Sequence, residues 1–172
     1  MIGKAWLWAG ALLVVAIGVV AFVSLGDGAT GTPTQRLQSW VSSTRLGQDI
    51  GTLEGDGASV RKALSAHAGM TALHTVCAAM ANAAQTYNDD LPSPDTTVTQ
   101  LLARAYGLEY DAAESCYRAP APGSRLLTVS AGDRARAVGL FEQALHRVRM
   151  LTGRTLTTTT TTVPDLTGTS LF

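Results

Sequence analysis

Residues 70–87 read Met-Thr-Ala-Leu-His-Thr-Val-Cys-Ala-Ala-Met-Ala-Asn-Ala-Ala-Gln-Thr-Tyr. Met70, Leu73, Cys77, Met80, Ala84 and Tyr87 recur at alternating steps of three and four, which draws one apolar seam along a helix. Val60, Ala63, Leu64 and His67 extend the seam toward the N-terminus. Gly69 weakens the middle by ~1 kcal/mol relative to alanine, a cost that a packed helix tolerates. Residues 58–88 are therefore one long helix or two.

On the C-terminal side, Asp89-Asp90-Leu91-Pro92-Ser93-Pro94-Asp95 must be a loop, because two closely spaced prolines exclude a helix interior. Ser93 or Thr97 caps the next helix, and Thr97 with Gln100 has capping-box spacing. Val98, Leu101, Ala105, Leu108, Ala112 and Cys116 then form a second seam, which ends before Ala119-Pro120-Ala121-Pro122-Gly123. Ser130 is read as the start of the last helix, with Asp133 near its positive end. Its buried stripe is Val138, Phe141, Leu145 and Val148, supported by Ala137, Leu140, Ala144 and Leu151, and Gly153 is its C-cap.

On the N-terminal side, Thr32-Pro33-Thr34-Gln35 reads as a helix start. Leu37, Trp40, Val41 and Thr44 share one face. Leu46, Ile50 and Leu53 make a second stripe rotated from the first, which implies a bend near Gly47. Gly55-Asp56-Gly57 reads as a turn. No run alternates polar with apolar residues as a strand would. The expected fold is all-α: about four helices packed up-down in a small bundle.

Residues 5–25 carry no charge. As a helix they would be ~31 Å long, matching a hydrocarbon core of ~30 Å, and they are read as a transmembrane helix in contact with membrane lipid. Lys4, Trp6 and Trp8 form an interfacial anchor at one end and Asp27 stands past the other. Arg36 and Arg45 count against the resulting orientation. A cleaved signal peptide is the rival reading, but its apolar region is normally about 7–15 residues. The expected organisation is a cytoplasmic stub at 1–4, the membrane helix at 5–25, a Gly-rich linker at 26–32, an extracytoplasmic helical domain at 33–153 and a Thr-rich tail at 154–172. The tail contains an unbroken threonine run at 157–162, buries too little apolar surface to offset its ordering entropy, and is expected to be disordered.

Cys77 and Cys116 are the only cysteines. Each lies on the seam of its own helix, and in an antiparallel hairpin pivoting near Pro92 they fall at similar heights. Outside the cytoplasm they are expected to form a disulfide, and inside it two buried thiols. They have no ligand spacing and no accompanying histidine, so a metal site is not expected.

The 172 residues include 13 basic and 13 acidic side chains, so net charge is zero and nothing draws the whole chain to nucleic acid. Eleven of the basic residues are arginine, which with the Ala and Gly content points to a GC-rich bacterial genome. Charge is nonetheless segregated. Asp89, Asp90, Asp95, Glu109, Asp111 and Glu114 face only Arg104 within the central hairpin. Arg134, Arg136, Arg147, Arg149 and Arg154 dominate the last helix and its exit. These two elements are expected to dock on each other, with an anionic envelope polymer or a lipid headgroup as the alternative partner of the arginines.

No catalytic, cofactor or metal motif is present. His67 and His74, two helical turns apart, cannot share an ion, and the carboxylates do not have EF-hand spacing. Tyr106, Tyr110 and Tyr117, followed by Arg118, lie along one broad side of their helix and form the candidate partner surface. The combination broadly resembles envelope proteins of GC-rich bacteria, a likeness of composition that carries no activity with it. The expected function is a membrane-anchored binding module for an envelope protein or polymer. The alternatives are an envelope enzyme using Glu109 and Glu114, or a structural subunit of a membrane complex.

Overall fold

The computed structural model describes residues 31–158. The expected stub, membrane helix, most of the linker and the tail beyond residue 158 lie outside the described residues. Among the described residues no helix is long and apolar enough to cross a membrane.

Five helices and no strand are found among these residues: α1 (Pro33–Thr44), α2 (Leu46–Ser65), α3 (Met70–Asn88), α4 (Thr96–Tyr117) and α5 (Arg125–Thr152). The class is all-α as expected, with one helix more than the sequence pattern counted. The extra helix comes from breaks at left-handed residues. Arg45 (φ 53°) separates α1 from α2, and His67 (φ 53°) with Gly69 (φ 81°) separates α2 from α3. Two left-handed positions so close together end the 58–88 seam as a single helix.

α4 packs between α3 and α5, α2 packs on α3, and α1 bridges α5 and α2. The principal core gathers Leu37 of α1, Ile50 and Leu53 of α2, Met80 of α3, Leu102 and Tyr106 of α4, and Phe141 and Val148 of α5. Each large aliphatic group here contributes about 1.5–3 kcal/mol by leaving water. A second cluster, at the other end of the bundle, joins Leu73, Cys77 and Cys116 to Val60, Leu64, Met70 and Leu127.

Three local expectations are corrected. Gly55-Asp56-Gly57 is not a turn: α2 runs straight through it, and all three residues are buried. Packing overrides the ~1 kcal/mol helix cost of each glycine. Ser130 does not start the last helix. Ser124 does, accepting a hydrogen bond from the Leu126 N–H at 3.2 Å, and Ser130 lies buried within α5. The α4 cap is Asp95, whose Oδ1 accepts from the Val98 N–H at 2.9 Å, while the Ser93 hydroxyl in the loop bonds that of Thr99 in the first turn of α4. Gly153 is the α5 C-cap (φ 68°). The tail does not leave the bundle at Arg154, since Leu156 packs against the principal core. A Cβ at Gly47 would stand 2.8 Å from the Thr157 carbonyl oxygen, so this close approach requires a glycine.

Candidate functional site

Glu109 sits on the buried face of α4, only 1% exposed. Its Oε2 faces the Arg134 Nε of α5 at 3.5 Å. The Arg134 Nη2 donates to the Leu53 and Glu54 carbonyls of α2, at 2.9 and 3.3 Å. One guanidinium therefore ties three helices together. Gly57 makes room for it, because any Cβ at that position would overlap the guanidinium. Arg147 of α5 likewise reaches the Asp95 carboxylate at 3.0 Å. The acidic hairpin and the basic last helix thus dock through two ion pairs, one buried and one near the surface.

Burial pushes the Glu109 carboxyl up to about 7, Arg134 opposes the rise, and Asp56 and Glu54 add to it. Burial also raises Asp56, against the pull of Arg134. Asp49 is pushed up to about 6 by burial and by the charge of Asp90, with Arg45 opposing. Asp95 goes the other way: burial raises it, but bonds from Arg147 and the Val98 N–H outweigh this and hold it below the usual carboxylate value. An acid whose folded pKa exceeds its unfolded one keeps a proton that the unfolded chain has already lost. Its stabilising contribution is complete below the unfolded pKa and disappears as pH rises through the folded one. Urea unfolding should therefore show the domain losing about 1–3 kcal/mol through Glu109 between pH 4.5 and pH 8. Glu109→Gln should flatten that part of the profile, and an unchanged slope would remove Glu109 as its source.

The candidate partner surface divides. Tyr106 is 3% exposed and packs against Phe141 and Tyr87, with ring centroids at 5.3 and 6.4 Å. It is a core residue, because its position on α4 turns it toward α5. Burial raises its hydroxyl pKa above the ordinary value. Tyr110 and Tyr117 instead line one shallow groove of about 190 Å³ between α3 and α4, with Ala78, Asn82 and Glu114. Tyr117 is 53% exposed and lies 5.2 Å from the His74 ring, whose Nε2 is 3.0 Å from the Ala119 carbonyl. Arg118 is exposed and pairs with Glu114 at 3.2 Å. Glu109 and Glu114, five residues apart on α4, point about 140° from one another. One is buried on Arg134 and the other stands in solvent beside Arg118, so they do not converge on a common reacting atom.

Cys77 and Cys116 meet in the second core cluster as a disulfide, with Cα atoms 5.8 Å apart. Among the described residues, no three His, Cys, Asp or Glu side chains gather as an ion site.

A further recess of about 310 Å³ opens between α2 and α5, beside the Arg134 guanidinium. Periodicity did not reveal it, because Arg134 and Glu109 read only as members of a basic helix and an acidic hairpin expected to dock, with no individual pair singled out. The missed signal is that Glu109 stands four residues after Ala105 and three before Ala112, which places a carboxylate on the apolar seam. No family model, curated protein or solved structure matches the chain.

Proposed function

We propose that residues 33–153 are a membrane-tethered, extracytoplasmic helical domain of a bacterial envelope. In this reading the domain binds another envelope protein through the face that carries Tyr110, Tyr117 and Arg118. The observation that carries the reading is the pair Cys77 and Cys116, set at disulfide distance inside a small helical bundle. Such links persist in oxidising compartments and are rare in the cytosol. The uncharged run at 5–25, directly before the domain, supports a tether. An exposed tyrosine beside an arginine on a grooved face supports a binding role. Arg147 is already engaged with Asp95, and Arg134 is recessed between α2 and α5 rather than displayed on an open face, which favours a protein partner over an extended anionic polymer. The enzyme alternative draws no support from Glu109 and Glu114, which diverge.

A photo-crosslinking amino acid placed at Tyr117 in the native membrane should capture a discrete partner. The same group at the exposed Thr128 of α5 should not. Capture of identical species from both positions, or of none, overturns the assignment of this face. Protease added to intact cells tests the compartment separately, and survival of the domain there would overturn the extracytoplasmic placement.

A further inference from the structure

We infer that the α2–α5 cleft binds an anionic amphiphile, a single alkyl or acyl chain ending in a carboxylate or phosphate. This site stands apart from the α3–α4 face and does not depend on which compartment the domain occupies.

The volume of about 310 Å³ falls at the lower end of the range of small-molecule sites. Its walls are apolar: Val60 and Leu64 from α2, Met80 from α3, and Leu127 and Val138 from α5. Its polar side chains are few: one hydroxyl and two guanidinium groups. Ser130 is 6% exposed, yet its hydroxyl makes no hydrogen bond among the described residues. That Oγ is not sealed from the surface either, and Ser130 lines the cleft. Other helical hydroxyls in this fold, such as Ser59 and Thr75, bond the carbonyl four residues back. Ser130, Ser115 and Thr128 do not, and of these three only Ser130 is buried.

Two arginines complete the lining, and no carboxylate takes part in it. Arg61 is exposed at the rim. Arg134 uses Nη2 for the α2 carbonyls and turns Nε to Glu109, which leaves Nη1 without a hydrogen bond among the described residues. A guanidinium donor, a hydroxyl and a second guanidinium match the several lone pairs of a carboxylate or phosphate. The apolar walls match a hydrocarbon chain. A peptide fits less well, because its backbone N–H and C=O groups would be buried against side chains that cannot satisfy them. A cationic amphiphile would meet two like charges.

The test uses the full chain in lipid nanodiscs and a photoreactive alkyl acid carrying a diazirine on its chain. Labelled peptides are mapped by mass spectrometry, with the peptide containing residues 5–25 as the non-specific reference. Saturable labelling is expected at Val60, Leu64 or Leu127, competed by dodecanoate or dodecyl phosphate and not by dodecyltrimethylammonium. The stronger of the two anionic competitors assigns the head group. Arg61→Gln should weaken labelling about tenfold, a difference of ~1.4 kcal/mol. Ala131→Phe, at an exposed position on the cleft wall, should abolish it, with helicity checked by circular dichroism. Ser130→Ala provides a second variant that keeps helix propensity and should weaken labelling several-fold. Labelling confined to residues 5–25, equal competition by the cationic amphiphile, or indifference to both Ala131→Phe and Ser130→Ala would each overturn the site.

Discussion

Arg134→Met should destabilise the domain by about 2–4 kcal/mol at pH 8, because Glu109 must then either carry an uncompensated buried charge or hold a proton that the unfolded chain has lost at that pH. Glu109 is 1% exposed, and no other cation pairs with it among the described residues. The lost bonds to the Leu53 and Glu54 carbonyls weigh less, since both residues lie within α2, where helix hydrogen bonds also serve them. The cost should shrink at pH 5, where the raised pKa of Glu109 lets it take up a proton and sit neutral in its site. The double substitution Glu109→Leu with Arg134→Met removes both charges together. It should restore most of the lost stability, as replacing a whole buried pair by apolar groups is often neutral or stabilising. Urea midpoints of the two singles and the double at both pH values complete the cycle. A double variant as unstable as Arg134→Met alone would mean that packing, and not charge, sets the cost.

Replacing Cys77 and Cys116 by alanine should lower stability by about 2–4 kcal/mol. The bond closes a separation of 39 residues, for which chain entropy alone gives ~4 kcal/mol before any native strain. Both side chains are fully buried with Leu73, so the alanines also lose packing. For a domain of this size the sum is a large share of total stability. The comparison is direct: unfolding of the oxidised chain with and without reductant, beside the double-alanine variant. Thiol titration of the unreduced, denatured chain should find no reactive sulfur. Two reactive thiols there would show that the bond does not form in the isolated protein.

The helical framework is legible in the sequence because its seams are chemically simple. From Met70 to Tyr87 the three-four spacing is uninterrupted, and in the fold Leu73, Cys77, Met80 and Ala84 are indeed the buried set. The hairpin register follows from the prolines at 92 and 94 together with the two cysteines. The errors fall where tertiary contact decides against local preference. Gly55-Asp56-Gly57 has the composition of a turn, but the missing side chain at Gly57 is what admits the Arg134 guanidinium. Ser130 has the composition of a cap, yet Ser124 lies directly after the Pro/Gly segment and caps first. Tyr106 shares a side of α4 with Tyr110 only approximately, and the small angular difference is enough to send it into the core. The α2–α5 cleft has no sequence signature, because its lining comes from three helices far apart along the chain.

Thr34 Oγ1 donates to the Leu151 carbonyl and Gln38 Nε2 to the Thr152 carbonyl, so the chain enters and leaves this bundle at one pole. The Cys77–Cys116 link lies toward the opposite pole, with α5, ~40 Å long, spanning the distance between them. Mechanical tension between the flanking segments would therefore load the α1–α5 contact first. The fold would unzip from its terminal helices, and the cross-linked α3–α4 hairpin would be the last part to yield.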